Sequence, residues 1–178
     1  MVIITNTWTT FGLKHTDTQS EVTRKLNRKN IDLLEVPHSV YVIRLANKFI
    51  IEYSNEKLSP VIYIGQGKLR DRLNTHRGWL AKLQALLPQA EIEVKVCFPR
   101  ESDGKPLHKE YEAHLLLQFK SQFGQLPLRN RKQQLNDGGK NFSVEGRQQA
   151  LGHGIGKKYT WSIKPLKEKV PFTKYKVK

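Results

Sequence analysis

In the run VIYIGQGKLRDRLNTHR, from Val61 to Arg77, a tyrosine, a Gly-x-Gly, an arginine and a histidine follow one another closely. Arg72 and His76 lie four residues apart, a spacing that puts both on one face of a helix. An arginine there offers a planar fork to a phosphate and to the charge that develops on it. A histidine beside it can share a proton transfer or hold a phosphate oxygen. Tyr63 lies on the apolar run before the glycines, and Tyr41 lies on an earlier apolar run. Adjacent antiparallel strands would set the two phenols side by side. A phenol, with a reference pKa near ~10, is a poor base unless cations such as Lys68 and Arg72 lower it. Gly65 and Gly67 are expected to let the backbone turn tightly and approach a substrate. The chemistry these groups suit is attack on a phosphodiester.

The elements that must position them can be read from periodicity. A helix is expected over Ser20 to Asn30, capped by Asp17 or Ser20. SVYVIRL, Ser39 to Leu45, alternates Tyr41, Ile43 and Leu45 on one face. NKFIIEY either extends that strand or returns from it, and VIYIG is a second strand. The segment from Lys68 to Leu87 carries Leu69, Leu73, Leu80, Leu83 and Leu87 as a helical stripe. EIEVKVCF is a strand with Ile92, Val94, Val96 and Phe98 on one face. The segment from Leu107 to Phe123 is a second long helix with Leu107, Tyr111, Leu115 and Phe119 buried, stopped by Gly124 and Pro127. The Gly-, Asn- and Gln-rich stretch from Asp137 to Lys158 reads as loops. The order β-β-α-β-α followed by an irregular basic region predicts an α+β fold.

Ser39-Val40-Tyr41 on one strand, Tyr63-Ile64-Gly65 on the next, Arg72 in the following helix, Glu112 in a later helix and Asn130 after Pro127-Leu128 form an ordered set. Over roughly residues 40 to 130 this set resembles the GIY-YIG nuclease family. The resemblance implies a small antiparallel three-stranded sheet flanked by helices, and a site made of Tyr41, Tyr63, Arg72, His76, Glu112 and Asn130. It favours Glu112 over Glu110 as the metal carboxylate, because Leu115 and Leu116 follow it at the family's spacing. His76 matches a histidine of restriction-enzyme relatives. One tyrosine would take a proton from the attacking water while the other orients that water or binds a phosphate oxygen. One carboxylate plus substrate oxygens suffices for a single Mg²⁺ or Mn²⁺, which keeps much of its water and acts as a Lewis acid on the leaving oxygen. Asn130 is expected to position rather than react. The sequence departs from the pattern in four places: Ser39-Val40 stands for Gly-Ile, the Tyr41-to-Tyr63 stretch is long, the turn after Gly65 is one residue short, and the gap from Glu112 to Asn130 is long. These departures point toward elaborated stand-alone nucleases, of which type II restriction endonucleases are the best example.

Charge suits that reading. Thirty-one lysines and arginines stand against 16 acidic residues, a formal net charge of +15. Between Arg129 and Lys178 there are 13 basic and 3 acidic residues, so two thirds of the excess lies there. Trp161, Tyr159, Phe172 and Tyr175 interleave with those lysines, a composition that suits a phosphate backbone. Lys68, Arg129, Arg131, Lys132, Lys157 and Lys158 are the expected nucleic-acid contacts, and double-stranded DNA is the expected partner. Cutting two strands predicts a homodimer on DNA. The single cysteine, Cys97, excludes an internal disulfide framework or a cysteine zinc site and reads as a small buried side chain. No apolar run reaches spanning length and the N-terminus does not read as a secretory signal, so no membrane partner and a cytoplasmic location are expected.

Three units follow: an N-terminal strand-and-helix extension over 1–38, a nuclease-like core over 39–130 and a basic DNA-contacting extension over 131–178, in one compact unit. GHGIGKK, Gly152 to Lys158, lacks P-loop spacing and reads as a basic loop or linker. Each site residue also has a plainer explanation. The tyrosines are good strand formers, Arg72 and His76 could be a solvated helix face, and Glu112 could pair with Lys109. His108 and Glu112 share a helix face at a spacing that could hold a metal, though helix packing or a weak ion pair is the better explanation. The competing functions are a repair, recombination or mobile-element nuclease, a non-catalytic nucleic-acid-binding protein, and a basic structural protein.

Overall fold

The computed structural model describes residues 4, 7–31, 36–131, 136–152 and 159–163. Its centre is a four-stranded antiparallel sheet. In chain order its strands are β1 (Thr9–Leu13), β2 (Ser39–Ala46), β5 (Val61–Gly67) and β6 (Glu91–Cys97), arranged β1-β6-β2-β5. A second, three-stranded mixed sheet runs β4 (Leu58–Ser59), β3 (Lys48–Glu52), β7 (Tyr159–Ile163), with β7 parallel to β3. The fold is α+β as expected, but a three-stranded sheet is not what forms at its centre. β1, from the N-terminal extension, adds a fourth strand, and β3 leaves the main sheet instead of extending β2. Asn47 and Lys48 turn the chain there with φ of 56° and 45°.

β2 is the central strand, and all eight of its residues are buried. Alternation sends Tyr41, Ile43 and Leu45 to one face, beside Ile92, Val94 and Val96 of β6 and Phe11 and Leu13 of β1. Helix α2 (Leu69–Leu86) covers this face with Leu69, Leu73, His76 and Leu80. Helix α1 (Gln19–Asn27) adds Val22 and Leu26 to the same core. α1 begins at neither residue expected. Thr18 is its cap, in a capping box with Glu21, while Asp17 accepts the Lys14 amide and pairs with Lys25 at 2.5 Å. Thr18→Ala should cost about 1 kcal/mol in urea unfolding, the usual worth of such a cap.

The other face belongs to α3 (His108–Phe123) and α4 (Val144–Leu151). Lys95, which alternates with Val94 and Val96, donates to the Gln149 carbonyl on α4. α3 buries Tyr111, Leu115 and Phe119, as their spacing predicts, and ends at Gly124 in the left-handed region, φ 78°. α4 lies where composition predicts loops, begun by Ser143, whose hydroxyl accepts the Gly146 amide at 3.0 Å. Both extensions meet here. Ile4 bridges to Phe142, and the Trp8 indole donates to the Gly146 carbonyl at 2.8 Å. Cys97 is buried. Among the described residues no helix is long and apolar enough to cross a membrane.

Candidate active site

Tyr41 and Tyr63 do share a face, diagonally rather than directly opposite. Tyr41 pairs with Gly65, and Tyr63 pairs with Ile43. The two rings lean toward each other over Gly65, centroids 5.9 Å apart. This overturns the expectation that Gly65 serves a turn. It lies inside β5, and a Cβ there would come within 2.5 Å of Tyr63 Cε1 and 2.8 Å of the Tyr41 ring. Gly65 is the floor on which both phenols rest. The turn belongs to Gly67, whose φ of +105° requires glycine. Its carbonyl accepts the Ser39 hydroxyl at 2.7 Å, so the serine ties the two strand ends together.

His76 points inward. It is 9% exposed and belongs to the buried stripe of α2. Its Nε2 lies 2.9 Å from the Tyr41 hydroxyl, and its ring sits 4.4 Å from that of Tyr63. Burial, then Arg72 and Arg129, push the imidazole pKa down to about 4, so the ring is neutral near pH 7. Arg72, one turn earlier, is exposed instead, with its Nε near Gly67 at the end of β5. The pair therefore divides between inside and rim, although i,i+4 spacing put both on one face.

Burial outweighs Arg72, which works to lower both phenols. Burial raises Tyr41 well above the ordinary range, and Tyr63 adds to it. Tyr63 is also raised, by burial and then by the charge of Glu112, against opposing effects of Tyr41 and Arg72. Tyr41 is fully buried while Tyr63 is half-buried. Tyr63 is thus the phenol with access to solvent.

Glu112 approaches from α3 and is 8% exposed. Burial raises its pKa to about 7 despite the opposing Arg72. The Glu112 charge acts on Tyr41 and Tyr63, and Arg72 acts on it, so the carboxylate lies within electrostatic reach of all three. Its charge is under-compensated, and an oxygen-seeking cation would meet that deficit. Among the described residues no three His, Cys, Asp or Glu side chains come together as a chelating group. The donor set therefore fits a hydrated Mg²⁺ or Mn²⁺ held by one carboxylate, not a caged Zn²⁺. His108, which shares a helix face with Glu112, packs its ring 5.1 Å from that of His38.

Asn130 completes the frame. Its Oδ1 accepts the Ile64 amide at 3.0 Å and its Nδ2 donates to the Ile64 carbonyl at 2.7 Å. It pairs with the outer edge of β5 as a strand residue would, next to Tyr63. Asn130→Ala leaves both Ile64 groups without these partners, and should cost about 2 kcal/mol in denaturant unfolding. Tyr63 should become more mobile, which the hydrogen-exchange rate of the Ile64 amide would report.

No protein-family model, curated protein or solved structure matches this chain. The chemistry of the site therefore rests on its geometry. Lys68, Arg129 and Arg131 are exposed, as nucleic-acid contacts require. Lys132, Lys157 and Lys158 lie outside the described residues. Arg129 has a second role, with its guanidinium 5.3 Å above the Trp79 ring. Trp79 belongs to the site without being part of any sequence pattern in it. Its one signal is its position three residues after His76, which places it on the same helix face. A cavity of about 900 Å³ lies away from this constellation, at the Leu13–Ala46–Glu91 end of the sheet.

Proposed function

We propose that the chain is a divalent-metal-dependent DNA endonuclease of the GIY-YIG kind, and more finely a sequence-specific type II restriction enzyme. The observation that carries this reading is the convergence of two tyrosines with adjacent rings, a neutral histidine, an exposed arginine and an under-compensated buried carboxylate at one end of β2 and β5. Arg72, at the rim, receives a phosphate oxygen and the charge that builds on it. Tyr63, the solvent-facing phenol, gives its own proton to solvent, and the phenolate then orients the attacking water and takes up its proton. Tyr41 and His76 stand behind it as fixed hydrogen-bonding groups, and Asn130 holds the strand that carries it. Glu112 would hold Mg²⁺ or Mn²⁺, which when bound supplies Lewis-acid stabilisation to the leaving oxygen. Double-stranded DNA is the substrate, met by the exposed cations, and a homodimer would supply one site for each strand.

The test is incubation of purified protein with long phage DNA and Mg²⁺, beside an EDTA control and Glu112→Ala. Discrete fragments lost in both controls support a sequence-specific nuclease. A smear or nicking supports a structure-directed or nonspecific nuclease and removes the restriction reading. Intact DNA that is shifted in a gel equally by wild type and Glu112→Ala overturns the enzyme reading in favour of a nucleic-acid-binding protein.

A further inference from the structure

Trp79 donates its indole N–H to His76 Nδ1 at 3.1 Å, on the side of the imidazole away from Tyr41. An indole nitrogen can only donate. The Nδ1 it meets must therefore be bare, and in a neutral imidazole the one remaining proton is on Nε2. That proton faces the Tyr41 hydroxyl 2.9 Å away. Tyr41 must accept it, which frees the Tyr41 proton for Tyr63. Three side chains thus form a chain of hydrogen bonds with one direction, Trp79 to His76 to Tyr41, and the Tyr63 ring lies beside that of Tyr41, centroids 5.9 Å apart.

We propose that Trp79 is a positioning residue of this site, which fixes the His76 tautomer and with it the direction of the His76–Tyr41 hydrogen bond, leaving the Tyr41 proton free for Tyr63 beside it. The opposite tautomer would set an imidazole N–H against the indole N–H, two donors head to head, and is excluded while Trp79 is present. Without the indole donor, His76 can carry its proton on Nδ1. Tyr41 then donates inward to Nε2, and its proton is no longer free to steady negative charge on Tyr63 beside it. The direction also bars His76 from accepting a proton through the tyrosines, because its Nε2 is already occupied. Arg129 holds the indole from the other side by lying over its ring. The groups that act on His76 are Tyr41, Tyr63 and Trp79 by contact, and Arg72 and Arg129 by charge.

The part of this inference that concerns Tyr63 rests on the nuclease reading, whereas the tautomer does not. The substitution Trp79→Phe keeps a ring beneath Arg129 and removes the N–H. Long-range ¹⁵N–¹H spectra of the full chain at pH 7, without DNA, report which His76 nitrogen carries the proton. The expected result is Nε2–H in the wild type and a shift toward Nδ1–H in Trp79→Phe. A wild-type Nδ1–H tautomer, or the same tautomer in both proteins, overturns the proposal. The wild-type spectrum decides it even if the variant does not fold. In DNA cleavage, Trp79→Phe should lower kcat by about tenfold with KM little changed, whereas an unaltered kcat overturns the positioning role. A wild type that shows the expected tautomer but cuts no DNA removes the nuclease reading alone.

Discussion

Glu112→Gln should abolish Mg²⁺-dependent cleavage and, at pH 8, make the protein more stable than the wild type. A buried carboxylate whose pKa is raised from 4.5 to about 7 binds its proton more tightly folded than unfolded. Stability therefore falls as pH rises from about 4.5 through 7, as the charged form becomes obligatory inside the fold. The whole shift corresponds to roughly 3 kcal/mol above pH 7, which glutamine recovers, or roughly 5–10 °C in Tm for a chain of this size. At pH 4, where the wild-type carboxyl is neutral in either state, the two proteins should melt alike. His76 has the opposite sign. Its pKa is lowered from 6.5 to about 4, so its contribution is present above 6.5 and lost as pH falls through 4. In the wild type the two slopes oppose each other between about pH 4.5 and 6.5. In Glu112→Gln the His76 slope stands alone, and stability should climb with pH across that window. Thermal melts at several pH values, with and without Mg²⁺, check all of this. Stabilisation by Mg²⁺ should appear in the wild type and vanish in the variant. A Glu112→Gln protein that is less stable at pH 8 would mean that the carboxylate is a structural partner and not an under-compensated charge kept for a cation.

Gly65→Ala should damage the site with a single methyl group. Gly65 has no positive φ to protect, so backbone freedom is not the reason it matters. The added Cβ meets Tyr63 Cε1 at 2.5 Å and the Tyr41 ring and hydroxyl at 2.8 Å, in a sheet where Tyr41 is fully buried. Overpacking of this kind costs typically ~1–3 kcal/mol. The rings can yield only by moving the hydroxyls, so the Tyr41 bond to His76 is broken or stretched. Cleavage should fall by at least ~100-fold, even under conditions where circular dichroism reports a folded protein. Gly12, also on a strand, has open space where a Cβ would stand, with nothing within 4 Å. Gly12→Ala is therefore the control, with stability and cleavage close to wild type.

Some of this is legible in the sequence for simple reasons. Tyr111, Leu115 and Phe119 fall on a helical period, and Ile92, Val94 and Val96 on a strand period, so burial follows from spacing. α4 is hidden because its first turn is announced only by Ser143, within a run of Gly, Asn and Gln whose local preferences are those of loops. It forms where the long-range contacts of Trp8, Phe142 and Lys95 give it a surface to pack on. A strand in the N-terminal extension is expected, but its place in the main sheet is hidden, since its pairing partner β6 lies far along the chain. At the site, residue types are readable but their environments are not. Tyr63 and Arg72 give no sign that burial outweighs the cation. Trp79 is visible as an i+3 neighbour of His76, but only the geometry shows its N–H on Nδ1.

Asn130 and Arg129 bear on how two copies could work together. Arg129 donates its amide to the Ile62 carbonyl and Asn130 holds Ile64, so the outer edge of β5 is closed against further strand pairing. Among the described residues, the outer edge of β1 is not closed by any strand. Two copies that continued one sheet would therefore join at β1 and hold their β5 strands seven strand spacings apart, about 34 Å. That is close to one turn of duplex DNA. Joined in that way, the two sites would cut about ten base pairs apart along one side of the helix. A short staggered break would require the copies to meet across α2, α3 or the loop after Gly124 instead. The spacing between paired cuts would thus report which face of the protein holds its twin.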